Sequence, residues 1–82
     1  MKEIVSVVDT ADYGRIEFTM KEALSNSNIS RTKLAKLTGV DYRVINRLYL
    51  NKDVIRVDLD VLARICYVLE CDISDIIKYN SP

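Results

Sequence analysis

The chain has no histidine, only two cysteines and only two glycines, and each scarcity closes off a class of chemistry. Without histidine there is no imidazole to activate a nucleophile, and two thiols alone cannot complete the ligand set of a structural zinc site. Two isolated glycines cannot form a Gly-rich phosphate loop. Asp72 and Asp75 stand three residues apart, but their place near the end of the chain suits helix capping rather than paired acid–base work. Catalysis is therefore the weakest functional class, and neither a cofactor nor a metal is expected. Cys66 and Cys71 are expected to act as small buried apolar residues. Apolar runs are short as well: none approaches the roughly 18–20 residues that span a bilayer. The opening MKEIVSVVDT carries Glu3 and Asp9 around too brief an apolar stretch for a secretory signal. The expected compartment is the cytoplasm, with no membrane partner.

What is present suits one folded domain. The 82 residues are 49% apolar and 29% charged, ordinary values for a soluble chain with a single core. The net charge of zero hides an uneven distribution. Residues 31–56 hold seven bases (Arg31, Lys33, Lys36, Arg43, Arg47, Lys52 and Arg56) against the acids Asp41 and Asp53, while both flanks are net acidic. A clustered basic face matters more for phosphate binding than the total charge.

That basic stretch coincides with the most informative pattern in the chain, SRTKLAKLTGVDYRVINRL from Ser30 to Leu48. Ser30 caps a helix that reaches about Leu37. Gly39 follows where a helix ends in the left-handed region, and Asp41 caps a second helix that reaches about Tyr49. Leu34, Ile45 and Leu48 return to the apolar side, and the small Ala35 lets two helix backbones approach closely. Two short helices joined by a tight turn make a helix-turn-helix.

The remaining elements follow from the same signals. Ile4 to Val8 is apolar on both faces of a strand, and Arg15 to Phe18 alternates, which together suggest an N-terminal β-hairpin. Thr19-x-x-Glu22 reads as a capping box opening a helix from about Met20 to Asn26. Asn51 can close the helix before it in a left-handed conformation. Asp58 caps the longest amphipathic helix, to about Glu70, with Leu59, Leu62, Ala63, Ile65, Cys66 and Leu69 as its buried set. Ser74 caps a fifth short helix, with Ile73, Ile76 and Ile77 closing the core. Tyr49 and Tyr67 are expected to pack. The expected fold is all-α with five helices.

From Phe18 to Ile77 this order resembles the lambda-repressor-like DNA-binding domains, the Cro/cI or XRE type of bacterial and phage regulator. SRTKLAKLTGV, INRLYLNK and DLDVLARICYVLECDISDII carry the resemblance. It implies a regulator that binds double-stranded DNA at a palindromic operator as a homodimer, in a bacterial or phage-infected cytoplasm at the nucleoid. By position it assigns base contacts to Tyr42, Arg43, Val44 and Arg47, with Asn46 more lateral, and phosphate contacts to Arg31 and Lys52. Lys33 and Arg56 join the phosphate set. Many family members carry glutamine where Arg31 and Tyr42 stand, and the loop after the third helix departs from the family's Asn-Gly-Lys.

The domain plan is an extension over 1–18 that supplies the hairpin and a dimer contact, the DNA-binding domain over 19–79, and a tail over 80–82. The dimer surface lies either at Ile4–Val8 or, as is usual in the family, near the fifth helix. The resemblance implies a transcription regulator, with repressor as the expected sign. The competing class is an antitoxin or protein-interaction module built on the same fold, with a protein partner in place of DNA.

Overall fold

Four α-helices and one small sheet take shape in the computed structural model, which describes residues 12–52 and 54–82. In chain order they are β1 (Arg15–Phe18), α1 (Met20–Ser27), α2 (Arg31–Thr38), α3 (Tyr42–Leu50), α4 (Leu59–Leu69), a 3-10 turn (Ile73–Asp75) and β2 (Ile77–Asn80). Met20, Leu34, Ile45, Leu48, Ile65 and Ile76 are fully buried and form the centre of the core. Among the described residues no helix is long and apolar enough to cross a membrane. The Ile4–Val8 strand of the expected hairpin lies outside the described residues.

Every helix ends in a left-handed residue: Asn28 (φ 56°), Gly39 (φ 74°), Asn51 (φ 56°) and Glu70 (φ 52°). With glycine so scarce, asparagine takes two of these positions. Its short polar side chain makes it, after glycine, the residue that best tolerates this region. The N-terminal caps are local too. Ser30 Oγ accepts from the Lys33 N–H at 3.1 Å, and Asp41 Oδ1 accepts from the Arg43 N–H at 2.8 Å.

The expected fifth helix does not form. Asp72 and Asp75 make a reciprocal capping box around a single 3-10 turn, after which the chain extends as β2 and pairs antiparallel with β1. Phe18 lies opposite Ile77, and Ile16 opposite Tyr79. The reason is a partner near the other end of the chain: β1 offers backbone groups that Ile77–Asn80 satisfies better as a strand than as one more turn of helix. Ile76 is buried, but Ile73 is exposed.

The same junction overrides the Thr19–Glu22 box. Thr19 makes no side-chain cap; its hydroxyl donates to the Asp75 carbonyl at 2.9 Å and its N–H to the Ile76 carbonyl at 2.9 Å. Asp58 also stands at the N-terminus of α4 without a side-chain cap. The buried stripe of α4 is narrower than expected. Leu62, Ile65 and Leu69 are buried, whereas Leu59, Ala63 and Tyr67 are exposed because only one side of the helix meets the rest of the fold. Cys66 and Cys71 are free and half-buried. Burial, with Cys66 and Asp75 adding to it, pushes the Cys71 thiol up to about 11, which keeps it protonated at neutral pH.

Asn51 joins the two halves of this architecture. It closes α3, and its Oδ1 accepts the Phe18 N–H of β1 at 3.0 Å. Asn51→Gly removes only that bond and is expected to cost about 1 kcal/mol. Asn51→Ala adds the left-handed penalty of a Cβ, for about 2 kcal/mol in all. Urea unfolding reads both as lower midpoints at an unchanged slope, with the alanine variant the less stable.

Candidate nucleic-acid interface

The turn between α2 and α3 is held from three sides. Thr38 is buried, and its hydroxyl donates to the Leu34 carbonyl at 2.7 Å while accepting the Val40 N–H at 3.2 Å. Gly39 then takes its left-handed conformation, which an added Cβ would strain while coming within 3.3 Å of Arg64. From α4, Arg64 Nη1 donates to the Thr38 carbonyl at 2.9 Å, and Asp60 anchors the guanidinium through Nε at 2.9 Å. Nothing in the local sequence signals Arg64, because its partner lies 26 residues away.

With the turn fixed, α3 buries Ile45 and Leu48 and leaves the opposite stripe to solvent. Tyr42, Arg43, Arg47 and Leu50 are exposed. Arg43 and Arg47 are one turn apart and so share a face. Val44 is half-buried and packs against the core. Asn46 is half-buried as well, with its carbonyl engaged by Arg31. Arg31 stands in the first turn of α2, half-buried, its guanidinium carbon 4.2 Å from the centroid of the Tyr49 ring. Lys33 and Lys52 are exposed at the start of α2 and just after α3, and Arg56 is exposed in the segment leading to α4. The helix-turn-helix thus gathers Arg31, Lys33, Tyr42, Arg43, Arg47 and Lys52 on elements in direct contact. Lys21 of α1, which sequence reasoning passed over, also reaches the Tyr49 ring, at 5.5 Å.

The charge on this face is little neutralised. Among the described residues the side-chain ion pairs are Arg43–Asp41 and Arg64–Asp60, so no other base of the interface pairs with a described carboxylate. Among the same residues no cluster of acids and thiols is arranged to hold a metal. Among the described residues, Asp41 is the carboxylate on the interface. Side-chain hydrogen bonds from Arg43, then the Arg43 backbone N–H, hold its carboxyl below the ordinary 3.8, and the same pairing raises the Arg43 guanidinium. Such a surface can neutralise backbone phosphates and present two guanidinium forks to base edges.

Residues 19–82 match the family model of the Cro/C1-type HTH DNA-binding domain. In three dimensions the chain is similar to the crystal structure of the transcriptional regulator VanUg, at 26% identity and a TM-score of 0.69, over 89% of this chain and 95% of that one. It is also similar to a candidate DNA-binding protein from Bacteroides fragilis, at 23% identity and a TM-score of 0.68, over 78% of this chain and all of that one. No curated protein matches.

The Asp41–Arg43 pair gives a titration prediction. A depressed carboxylate contributes stability that is complete above its unfolded value and is lost as the pH falls through the lower folded value, so this cap weakens only in acid, below about pH 4. Arg43→Ala is expected to raise the Asp41 carboxyl toward its ordinary value, with the backbone bond retaining part of the depression. A carboxyl-carbon NMR titration reads the shift directly, and an unmoved Asp41 would show that the pair does not form in solution.

Proposed function

Since the chain belongs to the Cro/C1-type HTH DNA-binding domain family, we propose that it is a sequence-specific transcriptional regulator that represses by occupying duplex DNA. The observation that carries this reading is the exposed stripe of α3, with Arg43 and Arg47 one turn apart on a helix whose position is fixed by the Thr38–Val40 turn. In the major groove, Arg43 and Arg47 would fork onto guanine edges, each good pair giving about 1–3 kcal/mol of discrimination. Tyr42 would lie along the sugar–phosphate edge, and Val44 would meet a thymine methyl. Arg31, Lys33, Lys52 and Arg56 would hold phosphates, so that affinity falls with salt. The similarity to VanUg, a transcriptional regulator, agrees with this role. Repression is the simpler sign, because occluding a promoter needs no further surface. The site of action would be the bacterial or phage-infected cytoplasm, at the nucleoid.

The operator would be palindromic and the protein a homodimer, placing two copies of α3 about 34 Å apart, one DNA turn. The apolar Ile4–Val8 run supports a dimer contact through that segment, and the exposed Ile16–Tyr79 pair of the sheet offers further apolar surface. A reading as an antitoxin or protein-interaction module draws on a different surface. Ile55, Leu59 and Tyr67 are 89%, 80% and 85% exposed, and none of them is among the residues assigned to DNA.

Selection from random duplexes with the purified protein is expected to enrich a palindrome, and the enrichment is expected to vanish with Arg43→Ala plus Arg47→Ala. Salt-sensitive binding without enrichment, equal in both proteins, would remove α3 as the reader. No binding at all would transfer the weight to a protein partner. A chain lacking residues 1–10 is expected to sediment as a monomer; if it stays dimeric, the contact lies elsewhere.

A further inference from the structure

Asn46 and Tyr49 project from the side of α3 that faces α2, three residues apart, and Arg31 reaches across to both. Its Nη1 donates to Asn46 Oδ1 at 2.6 Å, and its guanidinium carbon stands 4.2 Å from the Tyr49 ring centroid. Lys21 Nζ, from α1, lies 5.5 Å from the same centroid. Three helices therefore supply a cation, or the support for one, to a single cleft. Its polar wall consists of Lys21, Ser25, Asn28, Ser30, Arg31 and Tyr49, with no acidic side chain in it.

Two cations held against one aromatic ring, with neither paired to a carboxylate among the described residues, make a surface that an anion completes. Arginine has donors but no acceptor, so the bond to Arg31 fixes the Asn46 amide with its carbonyl toward α2. An asparagine that reads adenine must instead offer its carbonyl and its amino group together to the base edge. The ring beneath the guanidinium and the amide at one end leave the remaining N–H edge of Arg31 for a bidentate bond to a phosphate. An arginine ordered before the ligand arrives loses less freedom on binding.

We propose that Asn46 and Tyr49 are positioning residues that hold Arg31 as a clamp for a DNA backbone phosphate, with Lys21 as the clamp's second cation. The inference rests on the DNA-binding reading above and deepens it, moving Asn46 from base recognition to backbone contact and adding Lys21 to the interface. Sequence preference then belongs to Tyr42, Arg43, Val44 and Arg47, while the Arg31 cluster sets affinity and register for every sequence alike.

The test is fluorescence anisotropy with the full chain on its selected duplex and on a scrambled one, over a series of KCl concentrations. Thermal unfolding of each variant confirms that it is folded. Asn46→Ala is expected to weaken both duplexes by the same factor, roughly threefold to tenfold, the worth of one net hydrogen bond. Combined with Arg31→Ala it is expected to add nothing further, as for residues that act through one another. Tyr49→Phe keeps the ring and is expected to keep affinity. Lys21→Gln, at an exposed position of α1 beside the Tyr49 ring, is expected to lower the salt slope by about 1. The proposal is overturned if Asn46→Ala relaxes preference at one base pair while scrambled-duplex binding stays at the wild-type level, or if its loss adds in full to that of Arg31→Ala. It is equally overturned if Lys21→Gln leaves the salt slope unchanged. Those outcomes leave the DNA-binding reading standing, whereas a wild-type chain that binds neither duplex removes that reading and this one together.

Discussion

The position of the Thr38–Val40 turn governs the rest of the molecule. A recognition helix is useful only if its exposed stripe projects at a fixed angle, and that angle is set where α2 hands over to α3. Gly39 supplies a backbone conformation that a side chain would strain. The buried Thr38 hydroxyl consumes one free carbonyl of α2 and one N–H of the turn. Arg64, braced by Asp60, consumes the Thr38 carbonyl. Once these groups are satisfied, Leu34, Ile45, Leu48 and Ile65 can close a dry core beneath the turn. The polar bonds specify the geometry, and the burial of apolar surface stabilises it.

A neutral chain acquires an electrostatic direction from the same arrangement. The core draws no charge from residues 31–56, so their bases stay near the surface on α2, α3 and the segment after α3. The acids that balance them fall largely on the flanking segments. Two acids, Asp41 and Asp53, fall within the basic stretch, and Asp41 sits on the interface, where it caps α3 and pairs with Arg43. A solvent-exposed pair of this kind is worth little in stability, so its consequence lies in where it holds the Arg43 side chain. On the proposed reading, Arg43 would exchange this carboxylate for a guanine edge, and would gain from the exchange only when the guanine is present.

Much of this was legible in the sequence, and the division between what was and what was not follows the range of the interactions. Ser30, Gly39 and Asp41, and Asn51 in its closing of α3, act on backbone groups within a few residues, so these roles could be read from spacing alone; the bond from Phe18 to Asn51 Oδ1 spans 33 residues and could not. The sheet could not. Ile77–Asn80 carries a short apolar pattern that suits a helical turn as well as a strand, and only its pairing with Arg15–Phe18 decides between them. Thr19 was misread for the same reason, its hydroxyl going to Asp75 rather than to its own helix. The helix-turn-helix bases were visible as a charge cluster, but Lys21 and the Arg31–Asn46–Tyr49 contacts join three helices and carry no periodic signal.

Both ends of α3 are tied to other elements: its start to α2 and α4 through the turn, its end to β1 through Asn51. A helix of nine residues fixed in this way has little freedom to shift along a groove in search of better contacts. If α3 reads DNA as proposed, its sequence preference would be decided by side chains on its exposed stripe rather than by movement of the helix. Arg43 and Arg47 occupy that stripe without supporting the fold, whereas Ile45 and Leu48, on the opposite side, support it wholly. On the proposed reading, recognition would rest chiefly on residues that the core does not use, and Arg43 and Arg47 could change without disturbing the core that aims them.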